Sequence, residues 1–585
     1  MHISLQAAGL SKKNTQGYEN ISGKKYSLSE LVSMCCADGV EGFVKLSEDE
    51  YIRMSEKLKK HIALMNAFPM DGTKKRHVAK FQVGALAKTL EGLKTHMDGE
   101  YTRFMAKTKE AFDLHPELPQ IVTAQLRDYQ LEGFRWMCRL DAWGAGACLA
   151  DDMGLGKTLQ ALAFLAYKAE EGASLVIAPK SVVLNWVTEA QKFTNGMNVI
   201  VLNNSTKRAA DIKASGPHDI ILCTYGLLAT EAENLNKKKW NVVCLDEAHQ
   251  IKNRQTISSH TVMGISAKSR IILTGTPLQN NLSELWNLFQ FINPGLLGPW
   301  PYFRDSFMIP TLDNQHKTLL KDMTMPFILR RTKKEVLSEL PEKLLNTHYV
   351  EMTESESKVY EEMRRQAEVK FKRHKTREEK KEAATLDLNF FTELMKLRQA
   401  ACSMRLIHEQ WKEPSSKIMA LMEILDHIME DRDNNVIVFS QFTSFLDMVK
   451  PELKRRDMDY LYLDGQTPLE KRQQIVNQFQ EGKCRLFLSS LKAGGLGINL
   501  TAANYVILLD PWWNPAIENQ AMDRAHRIGQ KRVVSVIRLI SSQTIEEKIM
   551  RLHETKQNLS DDILEGTAES YKLTYEDVMD MVAPF

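Results

Sequence analysis

The stretch ACLADDMGLGKTLQALAFL sets a short apolar run before a glycine-rich turn, followed by Lys157, Thr158 and an apolar pattern of helical period. That order of strand, turn and helix is the context a phosphate-binding loop requires. Gly154 and Gly156 would let backbone N–H groups approach phosphate oxygens. Lys157 would bring a point charge to the β- and γ-phosphates, and the Thr158 hydroxyl is a candidate ligand for Mg²⁺. The candidate nucleotide cradle is therefore Asp151, Asp152, Met153, Gly154, Leu155, Gly156, Lys157 and Thr158; the bland alternative is a structural glycine turn. One departure has a consequence for geometry: Asp151 stands where such loops usually begin with Gly, and Asp152 follows it. A carboxylate beside a triphosphate is repelled, so the loop must turn both acids away or use them to hold neighbouring segments.

In VVCLDEAHQIKN, 88 residues after Thr158, an apolar run ends in Asp246 and Glu247, the start of an Asp-Glu-Ala-His motif. Two acids at a strand end call for a cation or a reaction. Asp246 would bind Mg²⁺ through water, Glu247 would orient and polarise the attacking water, and His249 would link this strand end to the next motif. Upstream, LRDYQLEGFRWM supplies Gln130, whose amide can donate and accept at once and so match an adenine edge. Far downstream, NQAMDRAHRIGQ puts Arg524 and Arg527 three apart, on one face if the stretch is helical. Guanidinium groups suit a transferring phosphoryl group because they stay charged and offer forked donors. In isolation such a pair is more often a surface ion-pair former. The companion stretch SSLKAGGLGINL places Gly494, Gly495 and Gly497 on a loop after a strand, where backbone can approach a partner closely.

These groups lie in two sets of short apolar runs separated by helix-length stretches. ACLA, LVIAP, DIILCTY, VVCLDEA and RIILTGTP form the first set; NNVIVFSQF, YLYLDG, CRLFLSS, YVILLD and VVSVIRLI form the second. That rhythm predicts an α/β protein with two parallel-sheet lobes. Between them, residues 281–416 read as mostly helical. Residues 364–382 there carry nine Lys or Arg against four Asp or Glu, a solvated helix face or else a phosphate-tracking one. Residues 1–120 read as a mainly helical accessory region, with EYIRMSEKLKKHIALMNAF as an example. The expected division is 1–120, a first lobe at 121–345, a charged helical linker at 346–415 and a second lobe at 416–585.

With 585 residues, 43% apolar and 26% charged, the chain has a globular composition and is too long for one core. A net charge of +3 means that an anionic partner must be met by local patches. The eight cysteines form no CxxC pair, and no run approaches the apolar length of a membrane span. An intracellular, membrane-free protein is expected, cytoplasmic or nucleoid-associated if bacterial.

The ordered set LRDYQ, DDMGLGKT, IAPKSVVLNW, CTYGLL, LDEAHQIKN, LTGTPLQNNLSELWNL, FILRRTKKEVLSELPEK, VIVFSQF, LDGQT, SLKAGGLGINL and DRAHRIGQ resembles the Swi/Snf-type ATPases of helicase superfamily two, over about residues 121–554. WGAGACLADDMGLGKTLQAL and FINPGLLGPWPYF are most similar to the bacterial branch. The family commonly writes Asp-Glu in its phosphate loop, so Asp151 keeps the family residue and Asp152 is a conservative departure.

The resemblance implies two RecA-like lobes with ATP and Mg²⁺ in their cleft and double-stranded DNA across both. It further implies translocation along the duplex that remodels or displaces a bound protein. Carried over, Gln130 meets adenine, Gly495 joins the nucleotide site, and Lys157, Asp246 and Glu247 drive hydrolysis with Arg524 and Arg527 as trans-acting fingers. Lys180, Thr224, Asn280, Ser440, Ser490 and Lys492 fall in motifs that touch DNA or relay its presence. The alternative is an ATP-gated DNA-binding switch or scaffold; an RNA-unwinding enzyme is disfavoured. The adjacent Trp512 and Trp513 read as lobe-interface packing, with stacking on DNA as the alternative.

Overall fold

The computed structural model describes residues 3–6, 18–21, 24–27, 43–45, 51–53, 81, 94–97, 575–585 and 99–553, the last apart from 204–205, 252, 276–281, 309–313, 338, 379–387, 495–497 and 514. Only part of the N-terminal region expected to be mainly helical lies among the described residues. Its described residues form strands β1 (Ile3–Gln6), β2 (Tyr18–Ile21), β3 (Lys24–Ser27), β4 (Phe43–Lys45), β5 (Tyr51–Arg53) and β6 (Lys94–Met97), with one helix, Gly99–Phe112. They pair antiparallel as β1 with β6, β2 with β3 and β4 with β5. Tyr51–Arg53 opens the segment expected to be helical, and its cross-strand pairing outweighs the helical pattern there; residues 54–68 of that segment lie outside the described residues.

Strands β7 (Ala147–Leu149), β8 (Ser174–Ala178), β9 (Asn198–Val201), β10 (Asp219–Thr224), β11 (Trp240–Asp246), β12 (Ala267–Leu273) and β13 (Ile328–Leu329) build a parallel sheet in the order β13-β7-β12-β11-β8-β10-β9. Every residue of β8 and β11 is buried, because helices cover both faces and leave no solvent side to favour polar alternation. After β7 the chain crosses three places to β8. This leaves the carboxyl ends of β7 and β11 open to the crevice where open α/β sheets bind ligands.

A second parallel sheet, in the order β14-β19-β18-β15-β17-β16, comprises β14 (Lys343–Val350), β15 (Val436–Ser440), β16 (Leu461–Leu463), β17 (Leu486–Ser490), β18 (Tyr505–Leu508) and β19 (Val534–Ser541). The period-two pattern is explicit in β15. Val436 and Val438 enter one apolar cluster with helices Ser416–Glu430 and Thr443–Arg455, while Ile437 and Phe439 enter another with Ala521 and Met522 on the opposite face. The expected boundary at residue 345 falls inside β14, which pairs along its whole length with β19 in the second sheet. As an edge strand with Leu344, Leu345 and Tyr349 exposed, β14 lacks the buried apolar run that marks the other strands.

The region between the sheets is largely helical, including Glu354–Glu378 and Leu388–Cys402. Within its charged run, Arg364 is buried on Glu361, Glu368 and the Val582 carbonyl, while Arg365, Lys370 and Lys372 pair with Glu361, Glu393 and Glu368. The described part of that run is thus a helix face paired within the protein.

Candidate functional site

Helix Lys157–Tyr167 follows β7, and its Leu- and Ala-rich sequence buries residues 160–166. Gly154 and Gly156 stand at φ +87° and +78°, the left-handed region that a Cβ disfavours. Each also has a close neighbour. A Cβ on Gly154 would lie 2.7 Å from Cβ of Arg527, and one on Gly156 2.5 Å from Nε2 of Gln130. The turn between these glycines therefore brings backbone against both the upstream glutamine and the second lobe. Met153 packs beside Gly275, Leu155 is fully buried, and Thr158 sits in the first helical turn, partly exposed.

The two acids of the loop do turn away and hold neighbouring chain. Asp151, fully buried, accepts from Arg331 Nε at 3.0 Å and Nη2 at 2.6 Å, and from Gln160 Nε2 at 3.2 Å. Asp152 accepts the Lys333 N–H at 3.0 Å, and its own N–H donates to the Arg331 carbonyl at 2.9 Å. Arg331 and Lys333 were not singled out from the sequence. The signal was the unpaired charge of Asp151 and Asp152, which called for cations, together with the basic run RRTKK straight after a short apolar strand.

Lys157 Nζ donates to the Asp151 carbonyl at 2.6 Å and to that of Asp152 at 3.3 Å. Burial lowers its pKa against the opposing pull of Glu247, Asp151, Asp246 and Asp152. Gln130 is buried, with Oε1 accepting the Arg127 N–H at 3.0 Å and Nε2 donating to the Leu155 carbonyl at 3.1 Å. Both ends of its amide are thus on protein partners, and contact with an adenine edge requires the Leu155 bond to be exchanged.

At the carboxyl end of β11, Asp246 accepts from Trp186 Nε1 at 2.9 Å and from the Glu247 N–H at 2.9 Å. Burial, then the neighbouring Glu247 charge, raise the Asp246 carboxyl. Burial also pushes on Glu247, but His249, Lys157 and Arg524 together outweigh it and hold this carboxyl below its usual range. Glu247 has φ +49°, a strained position for a residue with a Cβ, and such strain gathers at functional sites. His249 Nδ1 lies 3.5 Å from one Glu247 oxygen, and Gln520 Nε2, from the second lobe, 3.4 Å from the other.

The arginine segment of the second lobe faces this cluster, and it does so as a turn and bend after helix Pro515–Met522 rather than as one helix face. Arg524 is buried and brought down to about 10 by burial and by Arg527, against Glu247, Asp523 and Asp246. Burial lowers Arg527 as well, opposed by Glu189 of the first lobe and by Asp523. Phosphate loop, strand-end acids and arginines thus converge in one inter-lobe cleft.

The remaining candidates are more dispersed. Lys180 is exposed after β8, and Thr224 is partly exposed at the end of β10. Ser440 is buried, its hydroxyl donating to Asp510, and buried Ser490 accepts the Ala493 N–H at 3.3 Å. Lys492 lies in helix Leu491–Gly494, its side chain outside the described residues, as are Asn280 and Gly495 altogether. Trp512 and Trp513 hold the Arg398 guanidinium at 5.3 and 4.6 Å from their ring centroids, with Arg398 itself 1% exposed. They pack the second lobe against helix Leu388–Cys402, an interior role but not at the cleft between the sheets.

The sequence matches the SNF2-related domain over residues 129–406 and the helicase conserved C-terminal domain over residues 416–529. It is 34% identical over 550 residues to an uncharacterized ATP-dependent helicase, MG018, of Mycoplasma genitalium, covering 92% of this chain and 52% of that one. It is 34% identical over 481 residues to the ISWI chromatin-remodeling complex ATPase ISW1 of Saccharomyces cerevisiae, covering 78% and 42% respectively. The chain spans about half the length of the curated relatives it matches. Among solved structures, the Sulfolobus solfataricus SWI2/SNF2 ATPase core in complex with dsDNA is 33% identical, covering 80% of this chain and 100% of that one. Its TM-score is 0.39, so the likeness rests on sequence and not on superposition.

Proposed function

The chain belongs to the SNF2-type, helicase-like ATPase family of helicase superfamily two, and on that premise we propose that it hydrolyses ATP between its two lobes to move along double-stranded DNA and displace or remodel a bound protein. The observation that carries this reading is the setting of Glu247. Gln520 of the second lobe reaches one of its oxygens at 3.4 Å and His249 lies 3.5 Å from the other, and against burial its carboxyl is drawn below the usual range by His249 first, then by Lys157 of its own lobe and Arg524 of the other. A water-orienting carboxylate has to be anionic, and a cross-lobe arginine has to arrive only when the lobes close.

In this mechanism the loop backbone and Lys157 hold the β- and γ-phosphates, with Lys157 leaving the loop carbonyls for them. Glu247 accepts a proton from the attacking water, and Arg524 and Arg527 meet the charge that develops on the transferring phosphoryl group. The residues suit Mg²⁺: the Asp246 oxygens keep lone pairs after their two bonds, and its raised carboxyl gains from a nearby cation. Thr158 and Asp246 would hold the ion, whose charge would offset that of the phosphates.

Duplex DNA is the proposed track. Among the described candidates Lys180 and Thr224 are open to it, while Ser440 and Ser490 act through the loops they brace. The test is the ATPase rate with double-stranded DNA, single-stranded DNA and RNA, followed by displacement of a triplex-forming strand. Stimulation by duplex DNA together with ATP-dependent displacement is expected. Stimulation without displacement would instead favour a DNA-binding switch, and stimulation by RNA alone would refute the DNA assignment.

A further inference from the structure

Lys333 takes no part in the chemistry described above, yet it ties both lobes together beside that chemistry. Its N–H donates to Asp152 Oδ2 in the phosphate loop at 3.0 Å. Its side chain crosses to the second lobe, where Nζ donates to the His526 carbonyl at 2.6 Å and lies 2.8 Å from Asp523 Oδ1. Asp523 immediately precedes Arg524, and His526 immediately precedes Arg527. The Lys333 side chain is 9% exposed, and burial lowers its pKa against the pull of Asp523. A flexible, strongly hydrated ammonium is a costly choice for such a place unless its bonds fix a geometry.

The surroundings show why geometry matters here. Gly154 leaves so little space that an added Cβ would come within 2.7 Å of the Arg527 Cβ, so the loop and the arginine segment meet nearly backbone to backbone. A small slip of one past the other would misplace both guanidinium groups.

We propose that Lys333 is a positioning residue that sets the register of Arg524 and Arg527 against the phosphate-binding loop, its N–H on Asp152 and its ammonium on Asp523 and the His526 carbonyl. This rests on the ATP-hydrolysis reading. Lys333 touches no reacting atom and acts through the arginines. Contacts within the second lobe hold the arginine segment to its own sheet without Lys333: Lys343 Nζ is 4.0 Å from Asp523, and His526 Nε2 is 2.7 Å from the Pro341 carbonyl.

The test uses the full chain with saturating duplex DNA and compares Lys333→Met, Lys333→Arg, Arg527→Ala and the Lys333→Met/Arg527→Ala double variant. Methionine keeps the stem volume and removes charge and donors. Its kcat is expected to fall about tenfold to a hundredfold, the scale of an ångström of misplacement, with KM for ATP within about twofold of wild type. Lys333→Arg, which keeps a buried cation and donors, should recover a substantial part of kcat. In the Arg527→Ala background Lys333→Met should cost less than it does in wild type, because only Arg524 is left to misplace. Wild-type kcat in Lys333→Met, losses that multiply in the double variant, or a raised KM at unchanged kcat would overturn the assignment. Should Lys333→Met fail to fold, Asp523→Asn must reproduce the kcat loss, and wild-type turnover there overturns it equally. A wild-type chain without ATP hydrolysis would remove the underlying reading as well. Hydrolysis by wild type and Lys333→Met alike removes only the positioning role.

Discussion

Arg331→Met should destabilise the first lobe through a single buried carboxylate. Asp151 is fully buried, and its charge is met by two Arg331 nitrogens at 3.0 and 2.6 Å and one neutral donor, Gln160 Nε2, at 3.2 Å. Arg331 has further bonds, to the Tyr129 carbonyl and to Gln160 Oε1, and its side chain is 13% exposed. Methionine replaces the stem but leaves the carboxylate with only the amide. Removing one member of a buried pair costs about 3–5 kcal/mol, and the partial exposure of Arg331 points to the lower end. With roughly 2 cal/mol/K of unfolding entropy per residue, about 3 kcal/mol lowers the melting of a lobe of about 225 residues by roughly 6 °C. Scanning calorimetry on the full chain reads this as a shift of the first-lobe transition. Adding Asp151→Leu removes the stranded charge and should return most of the lost stability, because a buried pair replaced by apolar groups is often neutral. A single variant melting within about 1 °C of wild type, or a double variant melting below the single, would refute the argument.

Three further outcomes follow from the cleft. Glu247→Gln should retain ATP binding and lose about a hundredfold or more in turnover, measured by nucleotide titration and phosphate release, since the amide cannot take a proton from water. Arg527→Ala should keep nucleotide affinity and lose most of the DNA-stimulated rate, about a thousandfold, because its contact develops only in the transition state. Gly154→Ala adds a Cβ at φ +87° and 2.7 Å from the Arg527 Cβ, whereas one on Gly216 meets nothing within 4 Å. Turnover should therefore fall at least about tenfold in the first and stay within about twofold in Gly216→Ala; equal rates would contradict the close lobe approach.

The parts of this fold that were legible in the sequence are those encoded by local pattern. Strands such as β8, β11, β15 and β17 are buried on both faces, so they read as unbroken apolar runs. The phosphate loop and the Asp246-Glu247 strand end carry their chemistry within a few residues. β14 was absorbed into a helical stretch because an exposed edge strand needs no such run. The need for something to neutralise Asp151 was readable, but its partner lies 180 residues away, and spacing alone cannot choose one arginine among many. Ser440 and Ser490 illustrate the opposite limit. A motif fixes where such a residue sits, while the fold decides whether its hydroxyl faces outward or is bonded within.

The charges of the cleft suggest how closure and catalysis are coupled on the proposed reading. Burial lowers Lys157, Arg524 and Arg527, and Arg527 further disfavours the charge of Arg524. Glu247, Asp246, Asp523 and Glu189 offset this only in part, and Asp246 is itself raised by burial beside Glu247. A cleft holding three desolvated cations closes at a cost, and a polyanionic phosphate chain between the lobes lowers it. The arginines gain most when negative charge grows on the transferring group, so the electrostatic work of closure is recovered chiefly in the transition state. That gain depends on where the guanidinium groups stand relative to the loop. The bonds of Asp152, Lys333 and Asp523 connect the phosphate loop to the arginine segment, and the same set of contacts therefore links lobe closure to the placement of the charge that accelerates hydrolysis.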